Sequence, residues 1–112
     1  MKIIRKPIQK SELLQIAESP FGNMVKGVVD LGRCVMAIGG ELHADEEALL
    51  LEDGSVQEDV WGINMYPEKP EGEWIEFDSM INIRPSQHNM SRTVEDGAMR
   101  EKIMVLIKEL VV

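Results

Sequence analysis

The stretch Trp74-Ile75-Glu76-Phe77-Asp78-Ser79-Met80-Ile81-Asn82-Ile83-Arg84 alternates along most of its length. Ile75, Phe77, Ser79, Ile81 and Ile83 fall on one side of an extended chain, and Glu76, Asp78, Met80, Asn82 and Arg84 on the other. This pattern predicts the longest β-strand of the protein, apolar beneath and hydrophilic above. Pro85-Ser86-Gln87-His88-Asn89-Met90-Ser91-Arg92 follows, a polar run without an acid. A half-buried strand feeding a donor-rich loop predicts a sheet with one covered face and one wet face.

Working outward, Asp59 to Tyr66 reads as a neighbouring strand. Trp61, Ile63 and Met65 share one side of it, and Val60, Gly62, Asn64 and Tyr66 the other. Pro67 to Gly72 is a turn-rich connector, so the two strands are expected to form a hairpin. Met24–Val29 and Cys34–Ile38 make a second antiparallel pair around Asp30-Leu31-Gly32-Arg33. Lys2–Arg5 reads as a short strand stopped by Pro7, and Glu41-Leu42-His43 as a strand continuation past Gly39-Gly40.

Three segments carry helical signals. Ser11 is placed as the N-cap of a short helix through Glu18, ended by Pro20 and Gly22. Ala44 to Asp53 has acids in its first turn and Gly54 at its end, although Leu49-Leu50-Leu51 also permits a strand. The last helix runs from Gly97 to about Leu110 behind Asp96. Met99, Ile103, Leu106, Ile107 and Leu110 form its apolar stripe. The sum is an α+β fold. A mainly antiparallel sheet of four to five strands carries the C-terminal helix and one or two shorter helices on one face.

A chain of 112 residues is one domain by size, long enough for a single core. It carries 20 acids against 12 bases, a net charge of −8. That balance repels phosphate backbones and argues against non-specific nucleic-acid binding. No apolar run approaches the ~18 residues of a membrane span, so a membrane role is not expected. The single cysteine, Cys34, cannot form an internal disulfide and is read as a packed small hydrophobe. These features together predict a cytoplasmic protein with no cofactor.

Two groups of residues are candidates for chemistry. Asn64, Tyr66, Glu76, Asp78, Asn82 and Arg84 would share the wet sheet face, and Ser86, Gln87 and Arg92 would extend it along the loop. Amides, a phenol, two acids and two guanidiniums on one surface suit a small anionic ligand or a protein partner. The same residues also make an ordinary hydrophilic sheet face. Met65, Met80 and Met90 would add an adaptable contact surface, and an edge strand offers a route to a homodimer. The alternative is a metal-assisted hydrolase built on Glu41, His43 and Asp45, with Asp78 as a further ligand. No zinc-ligand spacing and no G-x-S-x-G elbow supports catalysis.

Three segments carry a resemblance: Glu41 to Ser55, Trp61-Gly62-Ile63-Asn64-Met65-Tyr66-Pro67 and Ile81-Asn82-Ile83-Arg84-Pro85-Ser86-Gln87. They are similar to a small family of uncharacterised prokaryotic single-domain proteins of unknown function. The resemblance spans nearly the whole chain. It implies a soluble, stand-alone bacterial or archaeal domain and supplies no catalytic residues. Where such relatives place a proline after the acid opening the last helix, this chain has Gly97 after Asp96.

Overall fold

The computed structural model describes residues Met1–Val112. Its strands are β1 (Lys2–Ile4), β2 (Val25–Asp30), β3 (Val35–Ile38), β4 (Val60–Met65) and β5 (Ile75–Glu76), and its helices α1 (Lys10–Ala17), α2 (His43–Glu52) and α3 (Gly97–Leu110). The strands form one antiparallel sheet in the order β1-β3-β2-β4-β5. The α+β class, both hairpins and the closing helix are as the sequence predicts.

Asp30 makes the β2–β3 turn. Its carboxylate accepts the N–H groups of Gly32 at 2.8 Å and Arg33 at 3.0 Å, and the Ser55 hydroxyl at 2.5 Å. An aspartate that ties its own turn in this way replaces backbone bonds the turn cannot make. The same turn puts Cys34 at φ 56 and in solvent. The expectation of a packed Cys34 is therefore wrong: the residue closes a left-handed turn ahead of the strand.

One face of the sheet holds the main core. Val25, Val29, Met36, Ile38, Trp61, Ile63 and Met65 pack with Leu13 and Ala17 of α1 and with Ile103, Leu106, Ile107 and Leu110 of α3. Each fully buried Ile or Leu contributes about 1.5–3 kcal/mol, so the α3 stripe anchors that helix firmly. Asp96 caps α3 through its Oδ1, which accepts the Ala98 N–H at 2.9 Å. α1 begins two residues earlier than expected, behind Gln9, and Ser11 lies inside it rather than at its cap. Glu41 and Leu42 are not strand; α2 opens directly at His43.

The second face departs from expectation. Val28, Val35, Ala37 and Val60 are buried there beneath Leu50 of α2, with Leu49 and Ile81 packed around them. All six residues of β4 are buried. The wet face does not exist: α2 and the segment after β5 cover it. Met65 is fully buried and cannot serve as contact surface, whereas Met80 and Met90 are exposed.

The long strand also fails. β5 stops at Glu76, Met80–Asn82 is a 3-10 turn, and Pro85–Gln87 is another. Through Met80 the expected burial order holds, with Ser79 buried and Met80 exposed, and from Asn82 onward it is inverted. Asn82 and Arg84 are 0% and 7% exposed, and Ile83 is 39% exposed. The alternation in sequence is real, but it records which side chains reach back to the sheet rather than an extended chain.

Candidate functional site

At one end of the second face, Lys26, Asn64 and Glu76 lie in register across β2, β4 and β5. The first turn of α2 sits over this row. The buried imidazole of His43 has its Nε2 2.9 Å from the Ile63 carbonyl oxygen. Against a carbonyl, that nitrogen must carry the proton. Burial holds the His43 pKa below its usual 6.5, and Lys26 adds to this, although the bond to Ile63 opposes it. The Asn64 amide donates to Glu76 Oε1 at 2.8 Å and to the Asp78 carbonyl at 3.2 Å. Tyr66 donates to the same Glu76 oxygen at 3.3 Å, and desolvation followed by the Glu76 charge raises its pKa. Asp78 in turn pairs with Arg92 at 2.7 Å.

Five residues expected on the wet face or its loop, Asn64, Tyr66, Glu76, Asp78 and Arg92, therefore meet, joined by His43 from the other set. Their polar atoms are largely turned on one another. One turn along α2, Glu46 is fully buried. Its Oε2 accepts the Gly40 N–H at 3.0 Å. Burial pushes its pKa up to about 8, against the opposing pull of the Gly40 bond and Lys26. The carboxyl is thus mostly neutral at pH 7. The sequence placed this acid in the solvated first turn of a helix; nothing in the local pattern marks it as interior.

The remaining expected residues divide from this cluster and bind the outer edge of β4. Asn82 Oδ1 accepts the Gly62 N–H at 2.8 Å, while its Nδ2 donates to the carbonyls of Gly62 at 2.9 Å and Arg92 at 3.0 Å. Arg84 donates to the carbonyls of Val60, Gln57 and Ile81 and to Gln87 Oε1, and stacks 4.1 Å from the Trp61 ring. Desolvation lowers its pKa, with the charges of Glu47 and Glu58 opposing. Gln87 donates to the Glu58 carbonyl at 3.0 Å. Ser86 is exposed. The loop therefore holds itself and the sheet edge together, and Arg84 is not available to an anion.

Sequence reasoning missed Asn89. It is 4% exposed, donates to the carbonyls of Asn82 and Thr93 at 2.7 Å each, and accepts the Glu95 N–H at 2.9 Å. It braces the loop from inside.

The proposed metal set does not converge. Glu41 and Asp45 are exposed while His43 is turned inward. No group of three His, Cys, Asp or Glu side chains is placed to hold a metal ion. The helical turn separates what the strand reading had aligned.

Room for a ligand lies on the opposite side of the sheet. A cleft of about 520 Å³ is lined by Trp74, Ile75, Met104, Val111 and Val112, with Lys10, Glu71, Gly72 and Lys108. Three segments far apart in sequence build it. The chain end is laid against α1, with Lys10 N–H donating to the Val112 carbonyl at 2.9 Å and Ile8 bridging Val111. α3 supplies Met104 and Lys108. The segment entering β5 supplies Trp74, whose ring lies 5.8 Å from the Lys10 ammonium. Neither lysine takes part in an ion pair. No helix is long and apolar enough to cross a membrane.

The family described as "Protein of unknown function (DUF5674)" matches residues 2–110, and the chain belongs to that family. No curated protein and no solved structure matches it.

Proposed function

We propose that this DUF5674 domain is a non-catalytic ligand-binding module. Its site is the cleft between α1, α3 and the Glu71–Ile75 segment, and its ligand is a small molecule with an apolar body. The observation that carries this reading is the cleft itself. Its volume of about 520 Å³ falls within the roughly 300–1,000 Å³ of small-molecule sites, and an apolar lining with a few polar groups is their usual make-up. Most polar groups of the two networks on the other side of the sheet, Asn64 Oδ1 apart, are engaged in bonds within the fold, which turns the search for a ligand away from them. This moves the binding site from the loop at 84–92 to residues the alternation did not select.

N-phenyl-1-naphthylamine, a neutral apolar fluorophore, tests the reading. Its fluorescence should rise saturably with one equivalent bound. Met104→Trp, which fills the cleft from a half-buried position, should abolish the rise. Met90→Trp, on an exposed loop position, should leave it intact. A wild type that does not bind the fluorophore saturably, or a Met104→Trp protein that binds it equally well, removes the cleft as the site.

A further inference from the structure

Resting on the cleft as binding site, we infer that its ligand is a monocarboxylate: an apolar body carrying one anionic head. The lining carries two ammoniums outside any ion pair, one of them 5.8 Å from the Trp74 ring, and an indole N–H without an acceptor. The ammoniums of Lys10 and Lys108 join none of the four ion pairs. The indole N–H of Trp74 is buried without an acceptor, a condition that native folds rarely leave uncompensated.

Charge points the same way. The chain as a whole carries 20 acids against 12 bases and repels anions over most of its surface. The cleft lining reverses that balance, with two lysines against the single acid Glu71. Two ammoniums offset by one carboxylate match a single negative charge better than a phosphate dianion. Lysine stems lie along apolar surface and bring their heads to its margin. The carboxylate would then meet Lys10 and Lys108 while its body covers Trp74, Ile75 and Met104.

The test is displacement of N-phenyl-1-naphthylamine by matched pairs: octanoate against octanol, and 2-naphthoate against 2-naphthylmethanol. Exposed ion pairs are weak individually, so each acid should displace about three- to tenfold better than its alcohol. Added salt should narrow the gap. Lys10→Gln with Lys108→Gln, both at exposed positions, should erase the preference and leave the alcohols unchanged. Equal displacement by acid and alcohol, or a preference that survives the double substitution, overturns the inference and leaves the cleft reading standing. A fluorophore that never binds removes both.

Discussion

The carboxamide of Asn82 occupies both outward-facing backbone groups of Gly62, taking its N–H at 2.8 Å and giving to its carbonyl at 2.9 Å. One side chain thereby acts as the missing neighbour strand at the centre of β4. β5 pairs β4 only at Asn64 and Met65, so without Asn82 the Gly62 groups would be buried and unmatched. An orphaned buried backbone group costs about 1–3 kcal/mol.

Asn82→Leu is accordingly expected to lower the unfolding free energy by about 3–5 kcal/mol, measured by urea titration. Asn82→Asp should be nearly as damaging. It keeps an acceptor for the Gly62 N–H but turns a carboxylate toward the carbonyls of Gly62 and Arg92. An Asp variant with wild-type stability would show that the two-way pairing does not matter.

Gly62 is itself dictated by the close approach of the Ser79–Ile81 segment. A Cβ there would stand 2.6 Å from the Ser79 Cβ and 3.1 Å from Ile81 Cγ1. Gly62→Ala should therefore cost about 1–3 kcal/mol by overpacking. Ser79→Gly in the same chain should recover part of that loss, and a double-mutant cycle reads the coupling. Strictly additive effects would mean the segment gives way elsewhere.

Glu46 predicts a pH dependence. Its pKa is about 8 in the folded protein, against 4.5 for an ordinary glutamate. The folded state keeps a proton that the unfolded chain releases, so this group favours folding most below about pH 4.5. That contribution declines as pH rises toward 8 and is flat beyond. At pH 7 the buried carboxyl should cost on the order of 3 kcal/mol. Glu46→Gln keeps an acceptor for the Gly40 N–H. It should raise the Tm at pH 7–9 and leave it unchanged at pH 4. His43 works in the opposite sense. Its lowered pKa means stability is lost as pH falls through 6.5 and below. A Glu46→Gln protein with the wild-type pH profile would place the neutral carboxyl elsewhere.

The architecture was legible in the sequence because its signals are local. The α3 stripe, the Asp96 cap, the alternation of Trp61, Ile63 and Met65 and the turn at Asp30 each need only their near neighbours to be read. The second face was not legible for the same reason. α2 offers Leu50 to the core but leaves Leu51 38% exposed, and a run of three leucines does not disclose which one faces inward. Asn82 and Arg84 misled because polar side chains that satisfy a strand edge leave the same mark as polar side chains in water. The cleft was invisible because Lys10, Trp74 and Lys108 are brought together only by folding. Of the residues expected on the wet face and its loop, Asn64, Tyr66, Glu76, Asp78 and Arg92 do share a neighbourhood, which the pairing of β4 with β5 brought within reach of sequence reasoning.

The amide plug on β4 also bears on how this chain would fail. A molecule whose Asn82 had swung free would keep most of its core but present open rungs to any extended segment nearby, including those of its siblings. Crowded copies of such a molecule would recruit one another by ladder extension, and turbidity would scale steeply with concentration well below the melting point.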